Sequence, residues 1–374
     1  MSVLGRIWRA GVGPCVVAVR DGQVVDITSK KAPTVRDICE LDDPAGYVAG
    51  AVGDVVGSLE DVLAAPVGDL SVTHLLAPCD MQSVKACGVT FAGSMVERVI
   101  EERAAGDPAA AKAIRERIGA LIGESLKNIT PGSDEAMDVK QALIAEGLWS
   151  QYLEVGIGAD AEVFSKAQVL SSVGHGAKVG LHPSSKWNNP EPEVVLVVSS
   201  KGGILGATLG NDVNLRDIEG RSALLLSKAK DNNASCAIGP FIRLFDDGFT
   251  LDDVRGQTLT LHVEGEDGFV MHGHSDMAQI SRDPADLVAQ TLGAHHQYPD
   301  GIMLFLGTLF APTQDRDPEG APGDGFTHKL GDKVTISSPD LGALTNVVDL
   351  STNCPPWTFG ARALMTNLAK RDLL

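Results

Sequence analysis

The 374-residue chain is poor in basic and in aromatic residues. Its 31 lysines and arginines stand against 49 aspartates and glutamates, which gives a formal net charge of −18, and aromatic residues make up 5% of the sequence. Such an excess of negative charge repels phosphate backbones and anionic lipid head groups. The composition therefore argues against nucleic-acid and membrane partners.

Long apolar runs are also missing. The longest candidate, residues 301–312, contains two glycines and is much shorter than the roughly 20 apolar residues of a membrane span. Arg6 and Arg9 near the N-terminus are not followed by the apolar segment of a signal peptide. The six cysteines are scattered without a CxxC pair, as is usual in a reducing compartment. These features predict a cytoplasmic protein.

Several common catalytic motifs are absent from the sequence. The glycines after Lys201 do not form GxGxxG and no Walker lysine follows them, which argues against a nucleotide-binding loop. No serine stands in a GxSxG motif, and none of the nine histidines has the spacing of a zinc site. With 44% hydrophobic residues the chain is long enough to bury the core of a globular enzyme.

Residues 190–212 hold the most informative acidic residues. Glu191 and Glu193 flank a proline at the start of the apolar run 194–198, and because strand side chains alternate they share one face. A Lys-Gly-Gly turn leads to a second apolar strand that ends in Gly-Asn-Asp. If the two strands pair as a hairpin, Asp212 returns beside the two glutamates.

Three carboxylates gathered at the end of an apolar sheet repel one another unless a cation lies between them. Oxygen ligands suit a hard divalent ion, so Glu191, Glu193 and Asp212 are candidate ligands of Mg²⁺ or Mn²⁺. The other interpretation is structural, because an acid-Pro-acid segment often begins a solvated edge strand and Asn-Asp after Gly is ordinary turn chemistry. The spacing does not decide between the two.

The remainder of the chain predicts an N-terminal α+β domain, 1–74, and a larger domain, 75–374, with a helical insertion at about 95–150. The expected N-terminal elements are a hairpin around an Asp-Gly turn and a short helix, at 15–19, 24–28 and 34–41. After the acidic stretch we expect a helix at 221–230 and strands at 258–263, 269–271, 301–310 and 333–337. Lys230 then ends a helix, where the dipole favours a cation.

Three helices are predicted in the insertion. Ser94 and Glu97 have the spacing of a capping box at the start of the first helix, which alone would explain both residues. Asp107 is the expected cap of a second helix that runs to about residue 126. The third is expected at 133–147, where a glycine stops it.

Taken in order, these motifs resemble the fumarylacetoacetate hydrolase superfamily. The family pattern is E-x-E on a strand, G-N-D-V-S-A-R-D at the next strand and a lysine shortly afterwards. This chain has Glu191-Pro-Glu193, then G-N-D-V-N-L-R-D at 210–217, then Lys230. The resemblance covers roughly residues 75–348 and implies an α+β fold whose catalytic domain is a β-rich roll.

The resemblance also implies a ligand set and a reaction. The three acids would hold one Mg²⁺ or Mn²⁺ that chelates the carboxylate and keto oxygens of a 2-oxo acid, with Lys230 beside it. A dication and a lysine stabilise the enolate that forms when a C3 proton leaves. The substrate contacts that it implies are Thr308, Phe91 and Arg216.

One departure from the family pattern narrows the expected reaction. The carbon–carbon hydrolases of the family carry a histidine three residues before a glutamate, where this chain has Ser94 and Glu97. Serine without a partner is too weak a base to replace histidine. The chain is most similar to the sugar-acid branch of the family, which implies dehydration of a 2-keto-3-deoxy-pentonate to 2,5-dioxopentanoate. Lys230 or Glu97 would take the C3 proton, and Ser94 or Glu97 would assist departure of the C4 hydroxyl.

Two other functions stay open on the sequence alone. The first is hydrolysis of a carbon–carbon bond in a 2,4-diketo-3-deoxy sugar acid on the same scaffold. The second is a non-catalytic module that binds a sugar acid. In each case the partner is a small sugar acid, and the family resemblance implies a homodimer or a homotetramer.

Overall fold

The structure is a computed structural model, and it describes residues 1–116, 126, 129–319 and 325–374. The strands are β1 Val3–Arg9, β2 Gly13–Arg20, β3 Gln23–Asp26, β4 Asp54–Ser58, β5 His74–Leu75, β6 Ser83–Gly88, β7 Glu162–Ala167, β8 Lys178–Leu181, β9 Pro192–Val198, β10 Ile204–Asp212, β11 Cys236–Leu244, β12 Thr258–Glu264, β13 Val270–Asp276, β14 Ile302–Phe305, β15 Lys333–Ser338 and β16 Gly342–Leu350.

The described helices are mostly short. They are α1 Val35–Cys39, α2 Pro44–Gly50, α3 Leu59–Ala64, α4 Ala92–Arg103, α5 Pro108–Ile114, α6 Asp134–Ala145, α7 Gln151–Ile157, α8 Arg216–Glu219, α9 Leu226–Lys230, α10 Leu251–Arg255, α11 Pro284–Thr291 and α12 Ala361–Lys370, with 3₁₀ turns at Ala223–Leu225 and Met277–Gln279. Within the described residues no helix is both long and apolar enough to cross a membrane.

Two sheets organise the fold, and the predicted α+β class is confirmed. The large sheet has the strand order β4-β3-β2-β1-β11-β10-β9-β14-β6-β7, with β5 beside β1, and the small one has the order β13-β12-β15-β16-β8. Strand β9 is buried along its whole length. One face of β9, with Leu196, packs in a core cluster with Leu261 and Ile336 of the small sheet. The other face, with Val195, packs in a second cluster with Ile38 of α1.

The N-terminal strands continue the large sheet. Strand β1 pairs antiparallel with β11, with Val3 opposite Arg243. The predicted hairpin is present as β2 and β3, and its turn residues Asp21 and Gly22 have φ of 47° and 71°, which an Asp-Gly turn supplies at low steric cost. We keep the division of the chain at residue 74 as a proposal.

In the insertion, the capping box predicted at Ser94 and Glu97 is wrong. Helix α4 begins at Ala92, so Ser94 lies inside its first turn, where its hydroxyl donates to the Phe91 carbonyl at 2.8 Å. The helix start is set by tertiary contacts, because Phe91 forms an isolated β-bridge with Ile280. A local sequence pattern does not contain that contact.

The other two helix starts in the insertion are confirmed. Asp107 accepts from the Ala109 N–H at 2.9 Å, and Ser133 caps the third helix through the Ala136 N–H at 3.2 Å. The predicted extension of the second helix to about residue 126 lies largely outside the described residues.

Two predicted elements differ from the observed ones near the central hairpin. The helix expected at 221–230 is a 3₁₀ turn followed by the short helix α9, which ends at Lys230. The strand expected at 301–310 ends at Phe305, because Gly307 has φ of +89° and turns the chain. Both differences place side chains around the acidic cluster described below.

Asp80 anchors helix α1 to the loop before β6, which gives a stability prediction. Its buried carboxylate accepts from the N–H groups of Val35 at 2.7 Å and of Arg36 at 3.1 Å. Asp80→Ala should lower the free energy of unfolding by about 2–4 kcal/mol, because two buried donors lose a charged acceptor. Denaturant unfolding measures this change.

The matched control is Asp43→Ala, which removes the exposed cap of α2 and its single bond to Gly46. We expect a loss of about 1 kcal/mol there. Equal losses at both positions would contradict the anchoring role of Asp80.

Candidate metal centre

The antiparallel pairing of β9 and β10 brings the three predicted acids together. Glu193 lies opposite Gly210 in the hairpin, and the Asp212 N–H donates to the Glu191 carbonyl at 3.1 Å. One oxygen from each of the three carboxylates lies within 4.8 Å of the others. Glu191, Glu193 and Asp212 are only 7%, 2% and 1% exposed, so the interpretation as a solvated edge is wrong.

The loop after β14 completes the acidic cluster from the neighbouring strand. The Gly307 N–H donates to Glu193 Oε2 at 2.6 Å. A side chain at this position would place its Cβ 2.1 Å from Thr90 Oγ1, so the turn requires glycine for space as well as for its positive φ. The next residue, Thr308, lines the pocket in front of the cluster.

Two buried lysines compensate the acids. Lys230 Nζ lies 3.2 Å from Glu191 Oε2 and 3.0 Å from Asp212 Oδ2, beside the acids as the family resemblance implies. Lys166, which sequence reasoning missed, forms an ion pair with Asp212 Oδ1 at 2.9 Å and is fully buried. Lys166 lies on β7, and no local motif marks it.

An arginine from the insertion reaches the same cluster. Arg98 on α4 donates to Glu191 Oε1 at 3.1 Å and to Glu101 Oε2 at 2.8 Å, and it forms an ion pair with Glu219. Glu219 also lies 3.1 Å from Lys230 Nζ. Sequence reasoning missed both residues, although Arg98 follows Ser94 by one helical turn and therefore shares its face.

The three acids differ in the direction of their pKa shifts. Burial and the charges of Asp212 and Glu191 raise the pKa of Glu193 well above its usual value. Burial also raises the pKa of Glu191, against the opposing charge of Lys230. Burial acts to raise the pKa of Asp212, but the charges of Lys166 and Lys230 outweigh this effect and lower the pKa. Two buried carboxylates whose pKa values are raised lie beside a third whose pKa is lowered, and all three offer only oxygen donors, which fits a hard dication.

A pocket of about 580 Å³, including its open mouth, lies in front of the acids. Its walls bring together Ser94, Arg98, Tyr152, Glu162, Lys230 and Thr308. Glu162 at the start of β7 was missed by sequence reasoning. Burial, helped by the negative charge of Glu219, raises the pKa of Glu162 to about 7, which suits a group that takes and returns protons at neutral pH.

Glu97, Arg216 and Phe91 do not line this pocket. Glu97 and Arg216 line a neighbouring pocket, which also includes Ser94, Arg98 and Glu191. Both carboxylate oxygens of Glu97 accept from Arg115, at 2.8 and 2.6 Å, and Oε2 also accepts from Arg216 at 3.2 Å. Burial acts to raise the pKa of Glu97, but these arginines outweigh it and lower the pKa. Arg216 is held over the Trp187 ring at 4.3 Å, and Phe91 is fully buried in the core.

Comparison with known proteins gives a family. Residues 157–349, just over half of the chain, match the family profile of the fumarylacetoacetate (FAA) hydrolase C-terminal domain. This match confirms the resemblance predicted from the E-x-E and G-N-D motifs. It begins within the region that sequence reasoning assigned to the family, which started at residue 75.

Two curated relatives are named as dehydratases. A probable 2-keto-3-deoxyxylonate dehydratase of Haloferax volcanii is 29% identical over 197 residues, which is 53% of this chain and 63% of the relative. A 2-dehydro-3-deoxy-D-arabinonate dehydratase of Saccharolobus solfataricus is 33% identical over 158 residues, which is 41% of this chain and 51% of the relative. The chain thus spans between half and two thirds of the length of these relatives.

A solved structure shares the fold. A 2-keto-3-deoxy-D-arabinonate dehydratase complexed with magnesium and 2,5-dioxopentanoate superposes with a TM-score of 0.65 at 21% identity, over 94% of this chain and 99% of that chain.

The raised pKa of Glu162 gives a pH-dependent stability prediction. Between its usual pKa of 4.5 and the folded value of about 7, the folded protein binds more protons at this position than the unfolded chain. Stability contributed by Glu162 therefore falls as pH rises through this window. Glu162→Gln should stabilise the metal-free protein above about pH 7.5, by at most about 3 kcal/mol, and have little effect near pH 4.5.

Urea unfolding in EDTA across this pH range measures the difference between variant and wild type. The control is Glu154→Gln, since Glu154 is half exposed and pairs with Lys140. A Glu162→Gln effect that does not change with pH would contradict the assignment.

Proposed function

Because the chain belongs to the fumarylacetoacetate hydrolase family, we propose that it is a metal-dependent hydro-lyase that converts a 2-keto-3-deoxy-pentonate to 2,5-dioxopentanoate. The observation that carries the proposal is a single pocket that contains the three-acid cluster, Lys230 and Glu162, a carboxylic acid whose pKa is about 7. The names of the two curated relatives support the same substrate class.

Glu191, Glu193 and Asp212 would hold Mg²⁺ or Mn²⁺. When bound there, the ion supplies Lewis-acid polarisation of the 2-keto group, which makes the C3 protons more acidic. The magnesium in the related dehydratase structure supports this choice of metal.

Lys230 would stabilise the enolate by its charge. Burial acts to lower its pKa, but Asp212, Glu191 and Glu219 outweigh it and raise the pKa well above the usual value. An ammonium held beside these acids is a cation and a hydrogen-bond donor. It suits a developing enolate oxygen, which needs positive charge nearby.

Glu162 would transfer the protons. As a carboxylate it takes the C3 proton, and as the resulting acid it donates that proton to the C4 hydroxyl, which leaves as water. The C3–H and C4–O bonds break and a C3=C4 double bond forms, and tautomerisation of this product through C5 gives the 5-aldehyde. The sequence left the C3 proton to Lys230 or Glu97 and the C4 hydroxyl to Ser94 or Glu97. We assign both proton transfers to Glu162, because both Glu97 oxygens are held by arginines.

The pocket favours dehydration over carbon–carbon hydrolysis. In the described part of the chain, no histidine lines it, and Ser94 donates its hydroxyl proton to the Phe91 carbonyl. Ser94 and Thr308 remain proposed contacts to the substrate hydroxyls.

The cellular location, the oligomeric state and the partner are also proposals. The six cysteines are all free and buried, which supports a cytoplasmic location. We propose a homodimer or homotetramer, and a small sugar acid as the partner.

The direct test is a reaction with a panel of 2-keto-3-deoxy sugar acids, followed by mass spectrometry of the products. We expect a product lighter than the substrate by one water, formed only with Mg²⁺ or Mn²⁺. Chelation should stop its formation, because the keto group of the substrate is polarised by the dication. A shorter acid among the products would indicate carbon–carbon cleavage. No turnover with metal present would favour a binding module.

A second test of the proposed function is the effect of Glu162→Gln on turnover. Glu162→Gln should lower kcat by about 10²–10⁴ because the amide neither takes nor returns a proton, while Mn²⁺ still binds because the three ligands are untouched. Glu154→Gln is the matched control and should leave kcat unchanged. A loss of kcat below about threefold would return proton transfer to another residue.

A further inference from the structure

The Lys230 ammonium contacts two of the three carboxylates that would bind the metal ion. Its Nζ bridges two different members of the three-acid cluster, at 3.2 Å from Glu191 Oε2 and 3.0 Å from Asp212 Oδ2. The side chain is 2% exposed, so water does not screen these contacts. A dication such as Mg²⁺ also needs carboxylate oxygens of these residues, at about 2.0–2.1 Å.

We propose that Lys230 is the resident counter-ion of the metal site, which holds Glu191 and Asp212 together without metal and competes with the dication for them. The inference rests on the proposed metal centre and adds to it a residue that sets the metal affinity. Two cations held against the same two carboxylates repel each other, so binding of the dication weakens the contact of Lys230 with Glu191 and Asp212.

The structure provides a partner for Lys230 outside the ligand set. Glu219 Oε1 lies 3.1 Å from Lys230 Nζ, and Glu219 is not among the three clustered acids. The Phe164 ring centroid lies 5.5 Å from the same nitrogen, within the range of a cation–π contact. The ammonium therefore stays paired beside the pocket after the two ligands turn to the metal.

Lys166 is a second buried lysine of the cluster, but it does not bridge two of the acids. It contacts only the other oxygen of Asp212, Oδ1, at 2.9 Å. Its remaining described bonds run to the Lys230 carbonyl at 2.8 Å and to Ser235 Oγ at 3.5 Å. Because it bridges no two ligands, Lys166 supports Asp212 from behind, and the competition falls to Lys230.

The test is metal binding without substrate, by calorimetry and by Mn²⁺ EPR on metal-stripped protein. Lys230→Met should tighten Mn²⁺ binding by about tenfold or more, because the dication no longer displaces charged hydrogen bonds. The variant should also gain more thermal stability from Mn²⁺ than wild type does, since its unloaded acids have lost their bridge. Turnover is not needed for either readout.

The matched control is Lys228→Met, which removes the same charge from an exposed position on α9 and should leave Mn²⁺ affinity unchanged within about twofold. If Lys230→Met does not fold without metal, Lys230→Gln keeps a neutral donor at the site and should tighten binding in the same direction. Unchanged or weaker binding in the folded variants would overturn the competition. Wild-type protein that binds no Mn²⁺ would instead overturn the metal centre itself, so the two failures are distinct.

Discussion

Burial of like charges is the constraint on which the rest of this structure depends. Glu191, Glu193 and Asp212 lie close together and out of solvent, and an uncompensated buried charge costs several kcal/mol. The fold meets this cost with cations from separate parts of the chain, namely Lys230 from α9, Lys166 from β7 and Arg98 from the insertion. Ion pairs to the acidic cluster therefore help to hold these three elements in place.

The part of the site that the sequence predicts is the part made by local structure. A run of apolar β-branched residues, a Gly-Gly turn and a second apolar run specify the β9–β10 hairpin, and the strand period then places Glu191, Glu193 and Asp212 at one end of it. Lys230 follows from the resemblance, which supplies a distance in sequence between motifs. The N-terminal hairpin was predictable for the same reason, since Asp21 and Gly22 favour a tight turn.

Residues that act across the fold left no such pattern. Glu162 and Lys166 lie four residues apart on β7, so the strand period predicts one common face, but nothing local says that this face meets the acids. The error at Ser94 and Glu97 has the same origin. Their spacing satisfies a capping box, yet the bridge between Phe91 and Ile280 starts the helix earlier and leaves Glu97 to two arginines. Contacts between distant residues decided both outcomes.

The helices between β6 and β7 therefore contribute side chains to the pocket. Helix α4 carries Ser94 and Arg98 to the pocket, and α7 adds Tyr152, while Arg115 and Arg216 fix Glu97 on the neighbouring face of α4. Two carboxylates of similar chemistry thus lie in different electrostatic environments. Glu97 is paired with arginines that lower its pKa, whereas Glu162 has no ion-pair partner among the described residues and its pKa is raised to about 7 by burial. The environment, more than the residue type, determines which acid is available to move a proton.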